Sequence, residues 1–233
     1  TILATGHVDN MIRLWDINSR QEIMSLLSDD TRAWSLAFSP DGQLLVAGTD
    51  NAVEIWDVEQ GEKIKTFEQD TYVFSVAFSD DGKMLASGSD DKTITLWDVA
   101  TRQQVMILGG NNDAVGAIDF SPDGRVLVSA SDTLKLWDVN TGQELMTNAG
   151  ETPRFIIAQF SPDGSKVVTA NAYAEIELWN ISSLPLMRQW VEENRTIREF
   201  TCEERLQYNM LVQCDLLGDF PSRTPYPTPS PMP

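Results

Sequence analysis

"DDKTITLWDV", Asp90–Val99, alternates apolar residues through a short run and closes on Trp97-Asp98. Variants of it recur along the chain: "VDNMIRLWDI" at Val8–Ile17, "NAVEIWDV" at Asn51–Val58, "SDTLKLWDV" at Ser131–Val139 and "AYAEIELWNI" at Ala172–Ile181. The tryptophans stand at Trp15, Trp56, Trp97, Trp137 and Trp179, at intervals of 41, 41, 40 and 42 residues. Asp follows the first four, as Asp16, Asp57, Asp98 and Asp138, and Asn180 follows the last. A second marker keeps the same period: "SPDG" from Ser39, "SDDG" from Ser79, and "SPDG" again from Ser121 and Ser161. Two independent markers on one period of about 40 residues define an internal repeat, which takes precedence over any local pattern.

Within a period the pattern is β. "SLAFSPDGQLLVAGT" (Ser35–Thr49) is an alternating apolar run broken at Asp-Gly and resumed, which predicts a hairpin: Gly accepts positive φ and Asp hydrogen-bonds its own turn. "VEIWDVEQGEKIKTF" (Val53–Phe67) predicts a second hairpin turning at Gln60-Gly61. Each period therefore holds four short strands, a to d in chain order. Such a sheet has two apolar faces, and stacking copies covers them. The Trp of strand c is placed between neighbouring sheets. Burying about 200 Å² of it contributes on the order of 5 kcal/mol before entropy.

Bulk composition bounds the alternatives. The chain has 233 residues, 42% of them hydrophobic, which suits a globular protein. No run approaches the roughly 18 apolar residues of a membrane span. The net charge of −18 repels phosphate backbones and anionic lipid, so neither nucleic acid nor membrane is an expected partner. That acidity serves either solubility or a basic partner. Cys202 and Cys214 lie beyond the repeats without zinc spacing, and free thiols in a reducing compartment are expected of them.

The combination of "SPDG", "SGSDDKTITLWDV" (Ser87–Val99) and this period closely resembles the WD-repeat family, over Thr1 to about Leu184. The resemblance implies an all-β fold: a β-propeller of four-stranded antiparallel blades serving as a non-enzymatic platform for protein interaction. It also implies a Gly-His about ten residues before each SPDG Ser, whose His links a strand b hydroxyl, the strand c Trp and an Asp of the b–c loop. Here those positions read Ser28-Asp29, Glu68-Gln69, Gly110-Asn111 and Gly150-Glu151, so the His is missing from all four. The matching acids remain as Asp9, Asp50, Asp91 and Asp132. Each buried indole N–H then needs another acceptor, since an orphan costs about 1–3 kcal/mol. Gly6-His7 is the only such dipeptide, and in a b–c loop His7 reads as a surface turn residue.

Counted by strands, the first copy has b, c and d, three copies are complete, and the last has a, b and c. That gives 18 strands, or about four and a half blades, over residues 1–184. In the family a strand from the N-terminal end often completes the last blade, so the sequence reads as the C-terminal part of a longer protein. Residues 185–220 are expected to form a short α-helical extension, with a capping box at Thr201 and Glu204. "NRTIREFTCEERLQY" (Asn194–Tyr208) is similar to the extension of some bacterial WD-repeat proteins. Residues 221–233 hold six prolines and read as a disordered tail.

For chemistry the sequence offers little. A single His excludes Ser-His-Asp and Cys-His catalysis and His-based metal sites within this segment. No cofactor, metal or small-molecule substrate is expected. Most acids repeat with the period and are structural. Asp119 departs from it, standing in strand a where other copies have Ala37, Ala77 and Gln159, and a buried carboxylate there needs a partner. The resemblance places partners on the face of d–a and b–c loops, at the residue after the first apolar one of strand a. That position holds Trp34, Phe74, Gly116 and Ile156, flanked by Arg32, Tyr72 and Arg154. These residues are either a protein-binding patch or one more alternating position of the core. The resulting expectation is a cytoplasmic, bacterial-type scaffold that carries out no chemistry and binds other proteins or another domain of its own chain. A sensory module docked on an upstream kinase or nucleotide-binding domain is the alternative. A propeller hydrolase with convergent acids is the third reading.

Overall fold

The computed structural model describes residues 1–28, 32–148, 155–173 and 175–181. The chain divides into two compact units, Thr1–Trp179 and Asn180–Pro233. The expected helices of 185–220 and the proline tail of 221–233 lie outside the described residues.

The 18 strands expected are those observed among the described residues. Sheet 1 holds β1 (Ile2–Gly6), β2 (Met11–Asp16) and β3 (Gln21–Leu27). Sheet 2 holds β4 (Ser35–Phe38), β5 (Leu44–Gly48), β6 (Ala52–Asp57) and β7 (Lys63–Glu68). Sheet 3 holds β8 (Val73–Phe78), β9 (Met84–Ser89), β10 (Ile94–Asp98) and β11 (Gln103–Leu108). Sheet 4 holds β12 (Ala117–Phe120), β13 (Val126–Ala130), β14 (Leu134–Asp138) and β15 (Glu144–Asn148). Sheet 5 holds β16 (Phe155–Phe160), β17 (Lys166–Asn171) and β18 (Ile176–Asn180). Neighbours in sequence are neighbours in each sheet, and no strand crosses between sheets.

The repeated turns are built by repeated bonds. In the first complete copy Ser39 Oγ donates to Asp41 Oδ1 at 2.6 Å, and the same carboxylate oxygen accepts from Gln43 N at 3.0 Å. Gly42 takes φ 72°, a left-handed value that a Cβ disfavours. Ser79–Asp81, Ser121–Asp123 and Ser161–Asp163 repeat the Ser–Asp bond. The Asp after each Trp caps the c–d turn: Asp57 accepts from Gln60 N at 2.7 Å and Asp98 from Thr101 N at 2.7 Å. Asp16 and Asp138 do the same for Ser19 and Thr141.

One regularity was not visible in the alternation. In sheets 1 to 4 the c–d register shifts just before the Trp, so that Ile23, Ile64, Val105 and Leu145 become bulge residues. A bulge adds local twist, and its apolar residue recurs in all four copies.

The cores lie between sheets rather than within them. Ile12, Leu14 and Leu26 of sheet 1 pack on Leu45, Ala47 and Trp56 of sheet 2. Val53, Ile55 and Phe67 pack on Val76, Leu85 and Trp97 of sheet 3. Ile94, Leu96 and Leu108 pack on Ile118, Leu127 and Trp137 of sheet 4. Each interface is closed by the Trp of the later sheet, and Phe67 stacks on Trp97 with centroids 4.2 Å apart.

Candidate functional site

The short strands β4, β8, β12 and β16 follow one another edge to edge around a concavity of about 600 Å³ lined by Phe74, Asp80, Gly116, Asp119 and Ile156 among others. Side chains link these strands across sheets. Ser35 Oγ accepts from Val76 N at 3.1 Å, and Ser75 Oγ accepts from Ile118 N at 3.1 Å. Ala117 holds the equivalent place in sheet 4 and has no hydroxyl. There the link is made by Asp119, whose Oδ2 accepts from Phe160 N at 2.7 Å. The acid that stands out in the sequence therefore substitutes for a missing serine. Burial pushes its carboxyl up, the Phe160 and Phe120 amides pull it down, and Asp80 adds to the rise. Among the described residues no three His, Cys, Asp or Glu side chains converge as a metal site would require.

At one end of β4 and β8 the structure gathers four of the seven residues singled out for binding. Trp34 lies 5.5 Å from Phe74 and 6.2 Å from Tyr72, centroid to centroid, edge to face with both. Tyr72 and Phe74, two apart on neighbouring positions, stack 6.0 Å apart. The Arg32 guanidinium sits 4.8 Å above the Trp34 ring. Asp50, from the β5–β6 loop, fixes the arrangement: its Oδ1 accepts from Trp34 Nε1 at 2.6 Å and its Oδ2 from Arg32 N at 3.4 Å. Trp34 is 43% exposed and Tyr72 46%, so neither extends the core, while Phe74 is half-buried. Ile156 is also exposed, at 51%, but stands on β16, beyond Gly116 in the same row. Arg154 lies outside the described residues. Asp50 was missed as a site residue because its place in the repeat marked it as structural.

The tryptophan side of the sheets shows what replaced the missing histidines. Trp137 Nε1 donates to Ser129 Oγ at 2.8 Å, and Ser129 donates on to Asn111 Oδ1 at 3.0 Å. Asn111 occupies the place where the resemblance implies His, and its amide serves as the terminal acceptor. Trp97 and Trp179 donate to Ser87 and Thr169 at 3.1 and 2.9 Å. Trp15 donates to Thr5 Oγ1 at 2.8 Å, and His7 Nε2 lies 2.8 Å from that same hydroxyl. The reading of His7 as a bare surface turn residue is thereby corrected: it is half-buried and joins the Trp15 chain from the β1–β2 loop. Trp56 is the exception. Ala47 stands where the other sheets carry Thr5, Ser87, Ser129 and Thr169, and the buried Trp56 Nε1 has no acceptor among the described residues.

Comparison with known proteins extends the picture. The family described as the IFT122 first beta-propeller matches residues 32–216. WD repeat-containing protein SL1-17 of Schistosoma mansoni is 29% identical over 134 residues, 57% of this chain and 44% of that protein. The uncharacterized WD repeat-containing protein sll1491 of Synechocystis is 33% identical over 131 residues, 55% of this chain and 38% of that protein. A shorter match, 32% over 60 residues, covers 26% of this chain and 14% of the guanine nucleotide-exchange factor SEC12 of Rattus norvegicus. The chain thus spans less than half the length of each of these relatives, and bacterial and animal proteins alike share the repeat.

Proposed function

The chain belongs to the WD-repeat β-propeller family described as the IFT122 first beta-propeller, and on that premise we propose that it is a non-catalytic, cytoplasmic scaffold that docks other proteins. The observation that carries the reading is the aromatic cluster of Trp34, Tyr72 and Phe74 with Arg32 laid on its surface. Large exposed rings held at fixed angles have little side-chain entropy left to lose on binding, and Trp, Tyr and Arg are the residues that dominate interface energies. Asp50 holds Trp34 Nε1 and the Arg32 amide before any partner arrives. Proteins, or another domain of the same chain, are the partners this surface fits.

A hydrolase reading is supported less well. Asp119, the one acid departing from the repeat, is engaged by the Phe160 amide, and its departure is accounted for by Ala117.

The test is affinity capture with the full chain, comparing wild type with the Trp34→Ala/Phe74→Ala variant after matched melting temperatures are confirmed. Partners retained by wild type and lost by the variant are the expected result. Identical partner sets would remove the aromatic cluster from the working face, and an empty set from both would overturn the scaffold.

A further inference from the structure

Sheets 1 to 4 each close on an outer strand, β3, β7, β11 and β15, that is hydrogen-bonded to its sheet on one side only. Such a strand offers N–H and C=O groups to any further strand, and charged side chains are the common protection against it. β3 carries Glu22, which faces Arg13 of β2. β7 carries Lys63, Lys65 and Glu68, and β15 carries Glu144, which pairs with Lys135 of β14. β11 carries no charge at all. The uncharged run extends from Gln103 to Asn112, in a chain of which 22% of residues are charged.

The difference reaches into the sheet. Where sheets 1, 2 and 4 set an ion pair between strands c and d, sheet 3 has the neutral Thr95 and Gln104. Where those sheets place Ser25, Thr66 and Thr147, sheet 3 has Ile107. Ile107 and the bulge residue Val105 are each 53% exposed. Among the described residues β11 pairs with β10 alone. A neutral edge with exposed β-branched side chains is an association site unless it is covered.

The order of residues along β11 says what covers it. A two-fold axis through Met106 lays β11 antiparallel to a copy of itself and sets Val105 of each copy opposite Ile107 of the other. The same operation about Met24 on β3 sets Ile23 against Ser25, and about Met146 on β15 it sets Leu145 against Thr147. About Lys65 on β7 it brings two lysines together. Of the four outer strands, β11 is the one whose two-fold pairing matches aliphatic with aliphatic and opposes no like charges.

We propose that the outer edge of β11 pairs with the β11 of a second copy of this chain, antiparallel about Met106. Main-chain hydrogen bonds join the two strands, and the two Val105–Ile107 pairs close one face of the junction. Each copy carries a net charge of −18, so the copies repel wherever charge meets charge, and a neutral edge is where they can touch. Salt screens that repulsion and tightens the pair. β8, which carries Tyr72 and Phe74 at its start, is the opposite edge strand of sheet 3. Self-pairing therefore leaves the aromatic cluster open, and the two readings can fail independently.

Sedimentation velocity on the full chain, at rising concentration and at two ionic strengths, tests the proposal. Wild type is expected to pass from one copy to two with a Kd below about 100 μM, tighter at the higher ionic strength. Val105→Lys sets an ammonium against Ile107 of the other copy and is expected to weaken the pair at least about tenfold. Ile107→Thr supplies the residue that sheets 2 and 4 already use at this place, and it is expected to weaken the pair in the same direction. Ile23→Lys alters the equivalent bulge residue of β3, 50% exposed, and is expected to change nothing. Amide exchange on pairing is expected to slow at Gln103–Leu108. Wild type that stays monomeric up to about 300 μM overturns self-pairing and leaves this edge to a strand of another protein. A dimer untouched by Val105→Lys and Ile107→Thr, weakened equally by Ile23→Lys, or loosened by salt overturns it as well.

Discussion

Trp137 and Trp56 hold the same position in sheets 4 and 2, equally buried at 2% and 4% exposure. Around Trp137 the indole N–H feeds a serine that feeds an asparagine, and around Trp56 the serine is an alanine and the indole donor has no acceptor among the described residues. Both sheets nonetheless have the same strands, the same bulge and the same turn bonds. Burial of the ring places the tryptophan; the hydrogen bond adds to stability without deciding the fold. That ordering follows from magnitude, since a buried aromatic contributes several kcal/mol and a hydrogen bond a net of about 1.

The largest expected effect should not distinguish the two places. Trp137→Ala and Trp56→Ala each open a cavity between sheets and are expected to cost about 3–5 kcal/mol, read from urea unfolding midpoints. A much smaller loss at either would show that its ring is not the closing piece of its interface.

Next in size is Ser129→Ala, which strips Trp137 Nε1 and Asn111 Oδ1 of their partner and is expected to cost about 1–3 kcal/mol. It turns the Trp137 region into the Trp56 arrangement. Equal stability of wild type and variant would erase the distinction between them.

The reverse change has the opposite sign. Ala47→Ser supplies the missing acceptor at Trp56 and is expected to stabilise by about 1 kcal/mol. Destabilisation would mean that the Ala47 pocket, fully buried against Leu14 and Trp56, has no room for one oxygen.

The smallest effect lies in the a–b turns of sheets 3 and 5. In the folded chain the Lys83 ammonium and surrounding donors hold Asp81 at about 2, below its usual 3.8, and hydrogen bonds from Ser161 and Ser165 hold Asp163 at about 2. A lowered folded value stabilises above the unfolded one, so this contribution is present above pH 4 and is lost as pH falls toward 2. Unfolding midpoints are expected to drop over that window, less steeply in Asp81→Asn. Both turns are exposed, so the change is modest. It should be the same in the Ser129→Ala background, which separates turn chemistry from the tryptophan chains.

The strand order was legible because two hairpins per period are written in local chemistry: alternation, then Asp-Gly or Gln-Gly with a serine two residues before the aspartate. The Ser39–Asp41 bond needs no distant residue, so the sequence carries it whole. The relay partners come from separate strands and were read less well. Asn111 acts because an amide oxygen can end a donor chain as an imidazole nitrogen can, a substitution that composition does not announce. Trp56's lack of a strand-b hydroxyl did leave a trace, since Ala47 interrupts a column of Thr and Ser once the copies are aligned. Of the candidate site, the aromatic row was visible as a row. Its fixing by Asp50 was not, because Trp34 and Asp50 are brought together only by the d–a and b–c loops lying side by side.

The links between strands β4, β8, β12 and β16 run one way: a side chain of each sheet receives an N–H of the next. Such a row is a one-dimensional array with nearest-neighbour couplings, and it loosens from its ends before its middle. Amide exchange should accordingly be slowest in β9 and β10 of sheet 3, which has complete neighbours on both sides. A backbone bond repeats beside each of these side-chain links, from Val73 N to Thr49 O, Val115 N to Ser89 O and Phe155 N to Ser131 O. Of the three side-chain couplings, however, only that of Asp119 is made by a carboxylate. The side-chain part of sheet 5's attachment therefore answers to its electrostatic surroundings, while the hydroxyl links of the inner sheets do not.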